Sequence, residues 1–177
     1  MNVVFYDVVR KLNLGNARQI DDLDELLGNA DVVSMHVPAN ATTANMMSGE
    51  RLSRMKDQAV LINASRGNVV GLPALAARIR DGKLLGAAID VFPEEPKSNN
   101  EPFISELRGL RNVILTPHIG GSTQEAQRDI AHYVPGRIIN YVNTGSTTVI
   151  NKKNATQRYF LTNGSILFKE VISPIIS

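Results

Sequence analysis

Short apolar runs alternate with amphipathic stretches along the chain, and this alternation predicts the secondary structure. Continuously apolar runs of strand length predict buried strands at 2–6, 31–37, 59–63, 86–92 and 112–116. Apolar residues at helical spacing predict the helices that separate them, at 22–29, 48–56, 72–82 and 123–142.

Polar residues beside these stretches predict where the helices begin. Asp21 and Ser48 are expected to be N-caps, because their side-chain oxygens can accept a free backbone N–H of the first turn. Ser122 and Glu125 form an S-x-x-E pattern, which predicts a capping box at the start of the last helix. Pro135 lies inside that helix and predicts a kink.

The order of the elements predicts an α/β fold with a doubly wound parallel sheet. Short, continuously apolar strands separated by helices are typical of a sheet covered on both faces. Ligands of such sheets bind beyond the carboxyl ends of the strands. The polar residues that follow the predicted strands are Asp7, His36, Arg66, Asp90 and His118. We therefore expect a functional site at the edge that these residues share.

Composition excludes several classes of protein. The chain has 177 residues, no cysteine and a net charge of +2, because residues 151–177 sum to +3 and the other 150 residues sum to −1. Disulfides and thiolate metal sites are thereby excluded, and no basic face for nucleic acid is expected. No apolar run is long enough to span a membrane, and the first residues do not have the pattern of a secretory signal. The sequence thus predicts a cytoplasmic protein that binds neither membrane nor nucleic acid.

Three side chains near the predicted edge have the chemistry of acid–base catalysis and anion binding. His118 can exchange a proton near neutral pH, Glu95 could orient its imidazole, and Arg66 offers a bidentate fork to a carboxylate. Each also has an ordinary structural interpretation, as a packed histidine, a solvated loop residue or a surface arginine. Asp7 is likewise either a turn former or a ribose ligand. The three histidines have no metal-ligand spacing, so no metal site is predicted.

A set of ordered motifs resembles the NAD-dependent D-2-hydroxyacid dehydrogenases. These motifs are "YD" at the end of the first strand, "HVP", "INASRG", "AAIDVFPEEP" and "NVILTPHIGGSTQEAQ". The resemblance covers about residues 1–149 and implies a Rossmann-like domain that binds NAD and acts on a small-molecule 2-hydroxy acid. Relatives in this family assemble as homo-oligomers, which implies the same for the intact protein.

The resemblance also implies roles for individual residues. His118 would remove the proton of the C2 hydroxyl, Glu95 would polarise the imidazole, and Arg66 would hold the substrate carboxylate. Asp7 would bind the adenosine ribose, and Asp90 would contact the nicotinamide amide. The implied cofactor-binding residues are Asp7, His36, Val37, Pro38, Ala64, Ser65, Arg66, Asp90, His118, Gly120 and Gly121.

The chain departs from the family pattern at both ends. Too few residues precede Asp7 for the first strand and its glycine-rich phosphate loop. We therefore expect an incomplete Rossmann-like sheet with an open slot, which closes by sliding or takes a strand from another chain. We divide the chain into a partial NAD-binding domain at 1–150 and an unmatched tail at 151–177, and expect this polypeptide alone to be inactive. The alternatives are a dehydrogenase for another 2-hydroxy acid and a non-catalytic fragment of the fold.

Overall fold

The chain divides into two compact units. The computed structural model describes residues 2–13, 15–96, 98 and 100–144, together with the backbone of 166–169. The first unit comprises Met1–Pro117 with Asn163–Ser177, and the second comprises His118–Thr162. The predicted domain boundary at residue 150 stays a prediction. Within the described ranges, no helix is long and apolar enough to cross a bilayer.

The first unit is built on a mostly parallel sheet with helices between its strands, as predicted. Its order across the sheet is β2-β1-β7-β3-β4-β5-β6. The strands are β1 (Val3–Tyr6), β2 (Ala17–Gln19), β3 (Val32–Met35), β4 (Val60–Asn63), β5 (Gly86–Ile89), β6 (Val113–Leu115) and β7 (Ile166–Lys169). The helices are α1 (Leu23–Asn29), α2 (Gly49–Arg54), α3 (Leu72–Arg80) and α4 (Gln124–Thr144), with a 3-10 turn at Gly67–Val69.

Two strands end earlier than their apolar runs suggest. The predicted strands 31–37 and 86–92 stop at Met35 and Ile89. Both residues pair with Asn63, the last residue of β4, which lies between them in the sheet. β4 ends at Asn63, whose carbonyl still accepts the N–H of Asp90, and the residues that follow β3 and β5 enter loops at this edge.

Local capping explains where the helices begin. Ser48 caps α2 as predicted, because its hydroxyl accepts the N–H of Arg51 at 3.4 Å. The prediction of Asp21 as the cap of α1 was wrong by one residue. Asp22 is the cap and accepts the N–H of Asp24 at 2.8 Å. The shift places Leu23 at the first helical position, where it is buried with Leu26 and Leu27.

The core lies between the sheet and the helices that cover it. Side chains from β3, β4 and β5 pack with the apolar faces of α1, α2 and α3. The largest fully buried side chains are Leu26, Leu27, Met35, Met47, Leu52, Leu61, Leu75, Leu84, Ile89 and Leu107. A sheet buried by apolar side chains in this way accounts for the continuously apolar strand runs of the sequence.

The expected slot in the sheet is filled by β7, a strand from the predicted tail. Its backbone pairs antiparallel with β1 on one side and with β3 on the other. Neither expected solution, sliding of the two halves or a strand from another chain, is adopted. Because β7 lies between β1 and β3, it pairs with β1 from Val3 to Tyr6 and with β3 at Val33 and Ser34, where an open slot would leave backbone groups unpaired. The rest of the predicted tail lies outside the described residues.

The second unit contains the long helix α4. Thr123, rather than the predicted Ser122, supplies the hydroxyl that accepts a first-turn N–H, from Ala126 at 3.1 Å. Pro135 lies inside the helix, as the sequence shows, and the kink stays a prediction. Side chains along α4 are largely exposed, including the apolar residues Ile130, Val134, Ile138 and Val142.

Engineered disulfides test the register of β7, because the chain has no cysteine of its own. Phe168 pairs with Val4 across the ladder. Directly opposed residues place their Cα atoms about 4.5–5.5 Å apart, within the range that a disulfide spans. We expect Val4→Cys with Phe168→Cys to form an intramolecular cross-link under mild oxidation, measured by mass spectrometry of non-reduced digests.

The control pair is Val4→Cys with Leu167→Cys. Adjacent residues of a strand point to opposite faces, so this pair should remain reduced. Equal cross-linking of the two pairs, or cross-links only between molecules, would contradict the register.

Candidate active site

Four of the predicted site residues follow strands that end at one edge of the sheet. Strands β1, β3, β4 and β5 point the same way, since β3, β4 and β5 are mutually parallel and β1 and β3 both run antiparallel to β7. Asp7, His36, Arg66 and Asp90 follow these strands. The predicted common edge is therefore confirmed for these four residues of the first unit.

The turn after β4 is organised by the side chain of Asn63, which is fully buried. Its Oδ1 accepts the backbone N–H of Ser65 at 3.0 Å and the Ser65 hydroxyl at 2.7 Å. Its Nδ2 donates to the carbonyl of Arg66 at 3.0 Å. Ser65 is thereby turned inward and buried, while Ala64 and Arg66 are exposed at the edge.

The turn after β4 lies directly against the loop after β5. A Cβ atom on Gly67 would lie 2.0 Å from the carbonyl carbon and oxygen of Phe92 and 2.5 Å from the nitrogen of Pro93. Only glycine permits backbones to approach so closely. The contact holds the segment that carries Arg66 beside the loop that carries Glu95.

The loop after β5 is shaped by Glu95 and by Phe92. One carboxylate oxygen of Glu95, Oε1, accepts the N–H of Phe92 at 3.1 Å. The Phe92 ring is buried and packs edge-to-face on Phe103, with centroids 4.6 Å apart. Glu95 itself is exposed, so the predicted polarising carboxylate lies at the surface of the edge.

Asp90 is held from two sides. Its backbone N–H donates to the carbonyl of Asn63 at 2.9 Å. Its Oδ1 accepts the hydroxyl of Thr116, which follows the neighbouring strand β6. The carboxylate predicted to contact the nicotinamide amide is therefore oriented before any ligand binds.

Asp7 has more internal contacts than a simple ribose ligand requires. Its side chain is 2% exposed, and its second oxygen, Oδ2, lies 3.9 Å from Nζ of Lys11. Oδ1 accepts the N–H of Val9 at 2.9 Å, which is the geometry of an Asx turn. The turn-forming interpretation is thus realised, and a ribose would have to compete with Lys11 for the carboxylate.

The "HVP" segment continues from β3 into a loop. His36 is half-buried, and its Nε2 lies 2.9 Å from the hydroxyl of Ser34. Burial lowers the pKa of His36 below its ordinary value of 6.5, because it penalises the charged ring. Val37 is buried, while Pro38 is exposed and its carbonyl accepts the Thr43 hydroxyl at 2.6 Å.

His118 begins the second unit, so its surroundings are described within that unit alone. It is exposed and has a φ of 53°, a left-handed conformation that is uncommon for residues other than glycine. Gly120 and Gly121 follow it. Among the described residues, no atom lies within 4 Å of a Cβ placed on either glycine. Such open space is consistent with the predicted room for a ligand against this backbone.

A cavity of about 370 Å³ lies elsewhere in the first unit, lined by residues that include Asn2, Arg18, Glu25 and Asp31. It touches none of the predicted site residues and lies near the amino ends of β1 and β3. We place the site at the carboxyl edge because ligands of parallel sheets bind there. Within the described ranges, no cluster of histidine and acidic side chains could hold a metal ion.

Sequence reasoning missed three residues that shape the edge: Asn63, Gly67 and Thr116. Asn63 and Gly67 both lie in "NASRG", and a signal was present there. A polar residue that ends an apolar strand, with a glycine four positions later, indicates a tight turn. Thr116 carried no comparable signal, because its contact with Asp90 joins two strands distant in sequence.

Comparisons with known proteins place this arrangement among hydroxyacid dehydrogenases. Residues 1–120 match the family described as D-isomer specific 2-hydroxyacid dehydrogenase, NAD binding domain. The chain is 57% identical over 147 residues to D-3-phosphoglycerate dehydrogenase of Haemophilus influenzae, a match that covers 83% of this chain and 36% of that protein. The enzyme of the same name from Escherichia coli is 55% identical over 147 residues, with the same two coverages of 83% and 36%.

Solved structures agree at the level of the fold. D-mandelate dehydrogenase of Rhodotorula graminis superposes with a TM-score of 0.66 at 31% identity, over 80% of this chain and 41% of that one. A D-lactate dehydrogenase from Sporolactobacillus gives a TM-score of 0.65 at 33% identity, over 81% and 46%. The chain thus spans about a third of the curated relatives it matches and less than half of these solved chains.

Replacing Gly67 tests the contact between the two loops. We expect Gly67→Ala to lower the free energy of unfolding by about 3 kcal/mol or more, because the methyl group would overlap the Phe92 carbonyl. Urea denaturation followed by circular dichroism measures the change. Gly136→Ala is the matched control, since among the described residues nothing lies within 4 Å of its added Cβ. A Gly67→Ala variant as stable as the control would contradict the close contact.

Proposed function

Because the chain belongs to the D-isomer specific 2-hydroxyacid dehydrogenase family through its NAD-binding domain, we propose that it functions as the NAD-binding domain of a phosphoglycerate dehydrogenase. The reaction is oxidation of the C2 hydroxyl of 3-phosphoglycerate with NAD, which leads into serine biosynthesis. The match to enzymes of that name at 55–57% identity carries the proposal. Since the chain spans 36% of their length, activity is proposed for the protein in which this domain works with the rest of the enzyme.

Some residues of the carboxyl edge are already arranged to bind a part of NAD, whereas Asp7 is not. Asp90 is a preoriented acceptor suited to an amide N–H, and exposed Ala64 and Pro38 offer small apolar surfaces. Asp7 fits ribose hydroxyls in chemistry, but its carboxylate must first exchange its contact with Lys11. We propose that these residues, with His36, Val37 and Ser65, hold the cofactor. Bound NAD supplies the hydride acceptor.

Three of the protein's own side chains have proposed roles in the reaction. Arg66 binds the substrate carboxylate and stabilises the oxygen that becomes a carbonyl, because its charge is permanent. An imidazole nitrogen of His118 removes the C2 hydroxyl proton, and Glu95 accepts a hydrogen bond from the other ring nitrogen and stabilises the imidazolium. The contact at Gly67 supports the pairing of Arg66 with Glu95, since it holds their two loops together.

The choice of acid substrate is proposed from sequence identity, because the chain covers 36% of the phosphoglycerate dehydrogenases that it matches. Another family member acting on hydroxypyruvate, glycerate or D-lactate is the alternative, favoured by the likeness to a solved D-lactate dehydrogenase. Sequence identity to phosphoglycerate dehydrogenases is higher, 57% against 33%. Homo-oligomeric assembly and a cytoplasmic location belong to the same proposal.

A chimeric enzyme tests the function. The segment of the Haemophilus influenzae enzyme that matches this chain is replaced by the corresponding 147 residues of the chain. We expect the chimera to reduce NAD with 3-phosphoglycerate in preference to glycerate or D-lactate, measured by absorbance of NADH. His118→Gln should lower kcat by about 10²–10⁴-fold, because it removes the acid–base group.

His132→Gln is the matched control, since His132 is exposed on α4 and has no proposed role. It should leave turnover unchanged. A folded chimera without activity would contradict the proposed function, and full turnover of the His118→Gln chimera would refute the role of that histidine.

A further inference from the structure

We propose that Asn63 is the positioning residue of this site, which presents Arg66 to the substrate and fixes Ser65 and Asp90 relative to it. The inference rests on the proposed function for its ligand, a carboxylate, and adds a residue that takes no part in the chemistry. Asn63 lies at the last position of β4, paired with Met35 on one side and Ile89 on the other. It therefore lies between the ends of β3 and β5 at the carboxyl edge.

The hydrogen bonds of Asn63 leave one orientation of its amide. The N–H of Ser65 can only donate, so the atom that faces it at 3.0 Å is Oδ1. The carbonyl of Arg66 can only accept, so the atom that faces it at 3.0 Å is Nδ2. The amide of Asn63 thus connects the N–H of Ser65 with the carbonyl of Arg66, on either side of the Ser65–Arg66 peptide bond. It thereby fixes the direction in which the Arg66 side chain extends from the backbone.

The backbone of Asn63 extends the same control to the neighbouring strand. Its carbonyl accepts the N–H of Asp90 at 2.9 Å. One buried residue therefore contacts three of the predicted site residues: Ser65, Arg66 and Asp90. A leucine at this position would suit the apolar strand better, but it would leave the buried Ser65 N–H and hydroxyl without their acceptor. The polar side chain is explained by the turn that it holds.

The Arg66 guanidinium shows the consequence. Its Nη1 donates to the carbonyl of Ser65 at 2.6 Å, so the peptide group that Asn63 bridges also contacts the head of the arginine. We therefore expect a change at Asn63 to move both the backbone and the guanidinium of Arg66. Asn63→Asp is the sharpest variant. Its carboxylate still accepts from Ser65, but it replaces a donor with an acceptor opposite the Arg66 carbonyl.

The experiment titrates the full chain with oxalate, a small dicarboxylate, and follows the Arg66 Nε–Hε signal by NMR. Arg66→Lys identifies that signal. We expect Asn63→Asp to weaken oxalate binding at Arg66 by about tenfold or more. Asn68→Asp is the matched control, since it adds the same charge at an exposed position in the same turn and should weaken binding by about threefold at most. Equal binding by Asn63→Asp and wild type would overturn the inference.

Two further measurements keep the inference testable if Asn63→Asp does not fold. Hydrogen exchange on the wild-type chain should show the Ser65 amide protected like the amides of β4, and free exchange of that amide would overturn the proposed hydrogen bond. Ser65→Ala removes one of the two bonds to Oδ1 and should shift the Arg66 signal. An unchanged Arg66 signal would contradict the proposed positioning role of Asn63. If the wild-type Arg66 signal does not respond to oxalate, the carboxylate-binding role in the proposed function fails, while the exchange data still judge Asn63.

Discussion

The contact between the turn after β4 and the loop after β5 sets the geometry of the part of the carboxyl edge that carries Arg66 and Glu95. The backbone at Gly67 lies against the carbonyl of Phe92 with no room for a side chain. Such an approach holds the turn that carries Arg66 beside the loop that carries Glu95. Catalysis by oriented groups depends on such backbone rigidity, because small displacements of a reacting group cost large factors in rate.

Polar burial in the first unit is concentrated where function is expected. The described residues with buried polar side chains are Asp7, Thr43, Asn63 and Ser65. Three of them lie at the carboxyl edge, and the hydrogen bonds of each hold a turn or a loop. Among the described residues, the core of the first unit is otherwise mostly aliphatic. The apolar core therefore supplies stability, and the polar edge fixes the orientation of the turns.

The fold was predictable from sequence because it depends on periodicity, whereas the site was predictable only in part. Continuously apolar strands and intervening amphipathic helices indicated a parallel sheet, and strand direction alone brought Asp7, His36, Arg66 and Asp90 to one edge. Contacts between segments distant in sequence leave no local pattern, which is why the bond of Thr116 to Asp90 and the close backbone contact at Gly67 were missed. The cap at Asp22 was missed for a different reason, since two adjacent aspartates offer equal caps and packing of Leu23 decides between them.

The largest departure from expectation lies between β1 and β3. β7 completes the ladder between β1 and β3 from the far end of the chain, and it is the one antiparallel strand among those described. A mixed sheet is compatible with the proposed site, because the loops that carry Arg66, Asp90 and Glu95 follow β4 and β5, which do not contact β7 in the strand order.

The central claim is that the carboxyl edge of the sheet receives NAD. Chemical-shift mapping of the isotope-labelled chain with millimolar NAD tests it most directly, because NMR detects weak binding residue by residue. The account predicts shifts for the amides of Ala64, Ser65 and Asp90, and none for Asn2 or Val32 at the opposite edge. Shifts confined to the residues around the opposite cavity, with the carboxyl edge unchanged, would contradict it.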